Sequence, residues 1–323
     1  MIRNGLVIKN TGNIYDVLDD CGAVWKCKVR GIFRLKGLRT TNPVAVGDRV
    51  VFEDVSAVSE KYCWITAVAP RKNCLLRKSV NLSKQTHIIA TNIDLAIVVA
   101  SVAEPCTPQG FIDRTLISCE AYNVPAMVVF NKIDIERAAL AEIYESAGYK
   151  VLLTSIKTGQ GIDELKQTVS GKTVLFTGNS GVGKSALINA IDPTLNIRTG
   201  EISTYNEKGK HTTTFAQMYP FTVFSDSHAP TSFLIDTPGI KEFGMLTINT
   251  EELSQYFPEM ERIREQCAYG NCTHTHEPRC AVKQAVEAHI PTIHPARYRS
   301  YLNILSGSEI PEPSLIGNKN EKK

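Results

Sequence analysis

Residues 178–185 read GNSGVGKS and fit the spacing G-x-x-x-x-G-K-S. An apolar run precedes them and a helix-forming run follows, which is the setting in which such a loop holds the phosphates of a nucleotide. Lys184 is expected to meet the β and γ oxygens, and the Ser185 hydroxyl is expected to ligate Mg²⁺. The predicted phosphate-loop residues are Gly178, Asn179, Ser180, Gly181, Val182, Gly183, Lys184, Ser185 and Ala186.

A second motif, NKID, follows the apolar run AMVVF and bears on the base. The Asp134 carboxylate can accept two hydrogen bonds, from the ring N–H and the exocyclic amine of guanine, whereas adenine presents no such donor pair. Asn131 is expected to brace the loop, and the stem of Lys132 is expected to cover the ring. The motif therefore favours a guanine nucleotide.

A third loop, TSIKTG, follows the next apolar run, as the second base-binding loop of GTPases does. It would bring Ser155, Ile156 and Lys157 to the base. Because a lone N-K-x-D has many chance matches, the prediction of GTP depends on the agreement of several loops, and ATP is the alternative.

The motif DTPG ends another apolar run and would complete the metal and γ-phosphate contacts. Asp236 can hold the metal through water, and the Gly239 amide can sense the γ-phosphate. In the loop before it, GKHTTTF would supply a threonine hydroxyl to Mg²⁺ while GTP is bound. Thr213 is the predicted residue; Thr212, Thr214 and a plain Thr-rich lead into a strand are the alternatives.

Ile240 follows DTPG, at the position where many GTPases place a glutamine that orients the attacking water. An isoleucine cannot orient water, so another group must. His211 is the predicted candidate, against an ordinary loop histidine, and the predicted catalytic residues are His211 and Thr213. Slow intrinsic hydrolysis that a partner accelerates is the expected consequence.

A cysteine cluster near the carboxyl end reads CAYGNCTHTHEPRC. The predicted ligands are Cys267, Cys272, His274 and Cys280. Three thiolates and an imidazole suit tetrahedral Zn²⁺, and four protein ligands leave no open position, so the site is expected to be structural. His276 is a competing fourth ligand, and a cluster without metal is the other alternative.

Several elements must position these motifs. Strand-like runs occur at 5–10, 14–20, 23–30, 49–55 and 62–69. Five short strands without a convincing helix predict a small barrel of the oligonucleotide-binding (OB) type. Trp25 and Trp64 are candidate stacking platforms for a nucleic acid, and packing at the core or its edge is the alternative.

The rest of the chain predicts an α/β fold class. From about residue 88, continuous apolar runs alternate with helical stretches, as in a parallel sheet covered on both faces. After about residue 245 only helical stretches follow. The predicted domains are an RNA-binding OB-fold at 1–73, a GTPase domain at 80–244, a helical zinc-binding domain at 245–310 and a disordered tail at 311–323.

The net charge of +3 conceals an asymmetry. Residues 1–80 carry 14 Lys and Arg against 7 Asp and Glu, whereas the remainder of the chain is acidic overall. This local excess can attract nucleic acid, and a solvated basic surface without a partner is the alternative. Nine cysteines without a secretory signal or a membrane segment indicate a soluble cytoplasmic protein.

The motifs occur in the order NKID, TSIK, GNSGVGKS, HTTT, DTPG, whereas ordinary GTPases begin with the phosphate loop and end with the base loops. Circular permutation is tolerated at exposed breaks, so the same sheet with different wiring is expected. The predicted fold is therefore a circularly permuted P-loop GTPase domain between an OB-type barrel and a helical zinc domain.

This combination closely resembles the ribosome small subunit-dependent GTPase A family (RsgA, also called YjeQ or EngC), over essentially the whole chain. The resemblance implies a bacterial GTPase that binds the 30S subunit late in its assembly, is activated by it, and hydrolyses GTP to GDP and phosphate to leave. It places the family's nucleotide and zinc positions on the residues named above and its proposed catalytic histidine on His211.

The expected ligands are GTP or GDP, Mg²⁺ and one structural Zn²⁺. The expected partners are the 30S subunit and its 16S rRNA, contacted through the barrel and the zinc domain, with no membrane partner, and the protein is expected to be a monomer. Two alternatives remain. One is a permuted GTPase that acts on the 50S subunit; the other is a GTP-sensing RNA-binding scaffold with negligible phosphate release, which Ile240 favours.

Overall fold

The structure is a computed structural model. It describes residues 1–29, 43–54, 62–78, 86–136, 140–197, 216–223, 231–236 and 250–307. Some predicted features lie outside these residues: His211, Thr212, Thr213, Thr214, Gly239, Ile240 and the tail at 311–323. Only the backbone of Asp236 is described.

The N-terminal segment folds into a closed barrel. Its strands are β1 (Ile2–Asn10), β2 (Tyr15–Asp19), β3 (Val24–Val29), β4 (Arg49–Glu53) and β5 (Cys63–Val68). β1 pairs with β2 and β4, β3 pairs with β2 and β5, and β4 pairs with β5, which closes the ring. Alternate residues point inward, as Val7, Val17 and Phe52 do. The predicted five-stranded barrel is confirmed.

The two tryptophans of the barrel have different surroundings. The Trp25 indole N–H donates to Asp19 at 2.8 Å, and its ring centroid lies 6.0 Å from that of Phe52. Trp25 therefore packs at the edge of the barrel core. Trp64 lies on β5 between two buried residues, so the alternation of the strand directs it to the outer face.

A second group of strands forms a six-stranded region in the order β10-β9-β8-β11-β13-β12. The bounds are β8 (Leu95–Ser101), β9 (Ala126–Asn131), β10 (Lys150–Thr154), β11 (Thr173–Thr177), β12 (Gln217–Phe221) and β13 (Ser232–Asp236). All neighbours except β12 and β13 pair in parallel. The predicted parallel sheet is present in five of these strands, and the antiparallel strand β12, which carries Pro220 and gave no strand signal, is added beside them.

Helices cover both faces of this sheet. They are α1 (Gln109–Ala121), α2 (Ala141–Ala147), α3 (Ile162–Val169) and α4 (Lys184–Ile191). Val98 and Val128 pack with α1 and α2, whereas the next residues along the strands, Val99 and Val129, pack with α3 and α4. The prediction of a sheet covered on both sides is confirmed. Before α2, Ile135 is held in a turn after NKID, where its amide donates to the Lys132 carbonyl oxygen at 3.0 Å.

The barrel and the sheet share one hydrophobic cluster. A hairpin that the sequence analysis did not predict, β6 (Cys74–Lys78) with β7 (Thr86–Thr91), lies between them. Its Leu75 and Ala90 pack with Val46 of the barrel and Met218 of β12. β12 also pairs with β1 at Gln217, so the strands of the two regions form one continuous sheet.

The carboxyl-terminal region is helical, as predicted. It contains α5 (Pro258–Glu261), α6 (Ala281–Glu287) and α7 (Pro295–Leu305), with short 3₁₀ turns at Leu253–Tyr256 and Arg264–Gln266. Phe257, Met260 and Tyr301 form its core together with Ile117 of α1. Within the described ranges, no helix combines the length and apolar character that a bilayer span requires.

Candidate functional site

Three predicted loops meet at one edge of the sheet. β9 ends at Asn131, β10 ends at Thr154 and β11 ends at Thr177, immediately before the phosphate loop. Because neighbouring parallel strands end at the same edge, the loops that follow them converge. In the β11–β13 pair Leu175 is opposite Ile235, so the backbone of Asp236 reaches the same edge.

The phosphate loop requires glycine where other atoms approach its backbone closely. Gly178 has φ +150°, and a Cβ there would lie 2.2 Å from the Val99 carbonyl oxygen. Gly183 has φ +97°, and a Cβ there would lie 2.3 Å from Asn131 Nδ2. α4 begins at Lys184, so the amino end of a helix follows the loop directly. The free N–H groups at such an end favour the binding of an anion.

Lys184 and Ser185 occupy the start of this helix. The Lys184 ammonium donates to the carbonyl oxygens of Gly178 at 2.7 Å and Asn179 at 2.6 Å. The side chain therefore folds back over the phosphate loop, and Ser185 is buried beside it. This arrangement places a cation and a hydroxyl at the end of a helix, which is the donor set that a metal-bound polyphosphate needs.

Asn131 connects the phosphate loop to both base loops. Its buried side-chain amide donates to the Val182 carbonyl oxygen at 2.9 Å. The Thr154 hydroxyl donates to its Oδ1 at 3.2 Å. The amide thus fixes the distance between the segment that would hold phosphates and the segments that would hold a base. Thr154 is the last residue of β10 and the first of TSIKTG, but it was not among the predicted site residues, and its place in that motif was the available signal.

The Asp134 carboxylate is held by the neighbouring loop. The Ser155 hydroxyl donates to Oδ1 at 2.7 Å, and the Lys157 ammonium lies 3.2 Å from Oδ2. The hydrogen bond from Ser155, together with the Lys157 charge, holds the pKa of Asp134 below its ordinary value. The group therefore stays ionised at neutral pH and can accept two hydrogen bonds. Ile156, between these partners, is 39% exposed.

The four predicted metal ligands come together in the helical region. One ligand atom each from Cys267, Cys272, His274 and Cys280 lies within 4.8 Å of the other three. Burial lowers the pKa of His274, which favours the neutral imidazole that a metal requires. The set is therefore a possible metal-binding cluster.

His276 does not belong to this cluster. It is exposed, and its Nδ1 lies 2.9 Å from the Thr275 hydroxyl. α7 supports the cluster instead: the Tyr298 hydroxyl donates to the His274 carbonyl at 2.7 Å, and the Tyr301 hydroxyl donates to the Thr273 carbonyl at 2.6 Å.

The outer face of the barrel combines a cation with aromatic rings. The Lys28 ammonium lies 3.9 Å from the centre of the Tyr62 ring. Lys28 is also the neighbour of Trp64 across the β3–β5 pair. Aromatic and basic side chains on one face of a small barrel are typical of surfaces that stack nucleotide bases.

Comparison with known proteins supports each part of this architecture. The RsgA GTPase domain matches residues 68–246, and the RsgA N-terminal domain matches residues 4–60. Small ribosomal subunit biogenesis GTPase RsgA 2 of Bacteroides thetaiotaomicron is 50% identical over 94% of this chain and 97% of its own. RsgA of Christiangramia forsetii is 44% identical over 94% and 96%, respectively.

Two solved structures share the fold. YjeQ from Thermotoga maritima is 34% identical, with a TM-score of 0.74 over 95% of this chain and 98% of its own. YloQ, described as a circularly permuted GTPase, is 29% identical, with a TM-score of 0.69 over 95% of each chain. The circular permutation inferred from the order of the motifs is therefore confirmed, and the protein is a GTP-hydrolysing enzyme. The chain belongs to the RsgA GTPase family.

Proposed function

We propose that this protein binds the 30S ribosomal subunit late in its maturation and hydrolyses GTP to GDP and phosphate, with stimulation by that subunit. The curated relatives are named small ribosomal subunit biogenesis GTPases, which supports the small subunit over the 50S alternative. The observation that carries the nucleotide part is Asn131, whose buried amide joins the phosphate loop to the base loops.

In this proposal the base is read by the two loops at Asp134 and Ser155. The ionised carboxylate accepts from the ring N–H and the exocyclic amine of guanine, while the stem of Lys132 covers the ring and Lys157 lies at the base. Asn131 braces this arrangement, and Ile156 lies at the base. Adenine lacks the donor pair, so GTP and GDP are the proposed ligands.

The phosphates are proposed to bind along residues 178–186. The backbone N–H groups and Lys184 contact them, and Ser185, Thr213 and Asp236 contribute to the Mg²⁺ site, which supplies charge neutralisation when occupied. The Gly239 amide senses the γ-phosphate, and His211 orients the attacking water.

The cysteine cluster is proposed to hold one Zn²⁺. Four ligands of the type Cys₃His fit a closed tetrahedral site, so the ion would stabilise the helical domain and leave no position for catalysis. The three domains are proposed to span residues 1–73, 80–244 and 245–310.

The barrel is proposed to contact 16S rRNA, with the zinc domain as a second contact. The basic excess of residues 1–80 supplies attraction to phosphate, and Lys28, Tyr62 and Trp64 supply a surface on which bases can stack. The protein is proposed to act in the cytoplasm as a monomer.

Co-sedimentation with separated ribosomal subunits tests the partner. The protein should pellet with 30S in the presence of a non-hydrolysable GTP analogue, pellet less with GDP, and remain in the supernatant with 50S. Equal pelleting with GDP and the analogue would contradict a nucleotide-controlled release, and preferential pelleting with 50S would contradict the choice of subunit.

A further inference from the structure

The loop between β8 and α1, residues 101–108 (SVAEPCTP), belongs to none of the predicted motifs, yet it contacts two of them. The Lys132 ammonium of NKID donates to the carbonyl oxygen of Glu104. The Pro105 ring lies beside the phosphate loop, because a Cβ at Gly181 would be 3.0 Å from Pro105 Cδ. The 101–108 loop therefore bridges the base loop and the phosphate loop.

The base of this loop is fixed by three hydrogen bonds. The Ser101 amide donates to the Thr107 hydroxyl at 2.9 Å, and the Thr107 amide donates to the Ser101 carbonyl at 2.7 Å. The Ser101 hydroxyl donates to the Ala103 carbonyl at 2.6 Å. Ser101 and Thr107 are only 1% and 2% exposed, whereas Glu104 and Pro105 at the tip are exposed. A buried anchor thus holds an exposed tip against the nucleotide loops.

Lys132 has a backbone that directs its side chain toward this tip. Its φ of +66° is unusual for a residue with a side chain and is retained where the surroundings determine it. A lysine stem loses much rotamer freedom when a ligand fixes it. Anchoring the ammonium beforehand removes part of that cost from ligand binding.

We propose that the 101–108 loop is a further nucleotide-positioning loop, beside the phosphate loop and the two base loops. Its Glu104 carbonyl pre-orders the Lys132 stem that covers guanine, and Pro105 restrains the phosphate loop at Gly181. Thr107 is the positioning residue, because its hydroxyl ties the tip to the end of β8. The inference rests on the proposed guanine-nucleotide site and adds a segment to it that carries no nucleotide motif.

A double-mutant cycle on GDP affinity tests this role. Thr107→Val keeps the side-chain volume and removes the acceptor of the Ser101 amide, so the dissociation constant for a fluorescent GDP should rise about five- to ten-fold. In a Lys132→Met background the same change should raise it by a smaller factor, about two- to three-fold, because the lysine stem no longer needs the anchor and only the restraint by Pro105 is weakened. Thermal unfolding of all four proteins shows whether the fold is retained.

Cys106→Ser is the matched control in the same loop. Cys106 is exposed, and its thiol makes one weak contact, 3.9 Å from the Thr107 carbonyl oxygen, within the part of the chain that the structure describes. Its GDP affinity should equal that of the wild type. If neither the wild type nor this control binds GDP, the proposed nucleotide site is wrong, which is a separate failure from that of the loop.

The loop proposal is overturned if Thr107→Val leaves GDP affinity unchanged, or if the loss is the same with and without Lys132. If Thr107→Val does not fold, Pro105→Ala is the deciding variant, since it changes an exposed side chain that lies beside Gly181. It should weaken GDP binding about two- to five-fold, and wild-type affinity for this variant would equally overturn the proposal.

Discussion

Arg297 of α7 and Asp113 of α1 form an ion pair with an N–O distance of 2.6 Å in which both side chains are fully buried. Glu259 of α5 completes the cluster, also at 2.6 Å from the Arg297 guanidinium. The guanidinium carbon lies 4.6 Å from the centre of the Phe257 ring. The cluster therefore fastens the helical region to the first helix that covers the sheet.

Replacement of Arg297 by Met should lower the free energy of unfolding by about 3–5 kcal/mol, because two carboxylates remain buried without their partner. Urea unfolding measures the change. Arg264→Met is the control, since Arg264 pairs with Glu261 at the surface and should contribute at most about 1 kcal/mol. A loss below about 1.5 kcal/mol for Arg297→Met would show that the cluster does not fasten the two regions.

The selection of guanine should depend on Asp134. In Asp134→Asn an amide replaces the carboxylate that accepts two donors, and GDP affinity should fall by about 100-fold or more. Xanthine carries a carbonyl oxygen in place of the exocyclic amine, so the variant should bind XDP more tightly than the wild type does. Competition binding with GDP, XDP and ADP measures this. If Asp134→Asn kept the wild-type preference for GDP, Asp134 would not be the residue that binds the base.

The cysteine cluster should hold one zinc ion per chain. Cys272→Ser should reduce the zinc content measured by elemental analysis and lower the melting temperature, because a bound ion would hold the helical region together. Cys21→Ser is the control, since Cys21 is exposed and lies outside the cluster. Zinc content and melting temperature that are equal in Cys272→Ser and the wild type would rule out the site.

Glu277 should make stability depend on pH. Burial raises the pKa of its carboxyl, but hydrogen bonds from the Thr273 hydroxyl and amide and from the Thr275 amide outweigh this and lower the pKa from 4.5 to about 2. A lowered folded-state pKa stabilises the protein above the unfolded value of 4.5, and this stabilisation is lost as pH falls toward 2.

Glu277→Gln should therefore be less stable than the wild type by about 1 kcal/mol near pH 7, with solvent screening of the partly exposed carboxylate taken into account. The difference in melting temperature should be constant from pH 7 to about 5.5 and should shrink below pH 4.5. A difference that grows on acidification would have the wrong sign for this carboxylate.

Much of this architecture could be predicted because its signals are local. The barrel strands alternate between core and solvent, the sheet strands are continuous apolar runs, and the glycines at 178 and 183 mark backbone that approaches other atoms closely. The Cys₃His cluster could be predicted for the same reason, since its four residues fall within 14 residues of sequence.

Other features depend on contacts between distant segments. Asp113 and Arg297 are 184 positions apart, and neither belongs to a motif that would indicate a buried pair. The β6–β7 hairpin forms because Leu75 and Ala90 complete a cluster shared by the barrel and the sheet. The role proposed for the 101–108 loop could not be predicted from the sequence, because it depends on the contact between Lys132 and Glu104, which are 28 positions apart.

Phosphate release from GTP, measured with and without purified 30S subunits, tests the central claim most directly. The enzyme alone should turn over slowly, and saturating 30S should raise the rate by at least about tenfold, since a partner that completes a GTPase site can contribute several orders of magnitude. Purified 50S subunits serve as the control and should have no such effect. A rate that 30S leaves unchanged, or that 50S raises equally, would contradict the account.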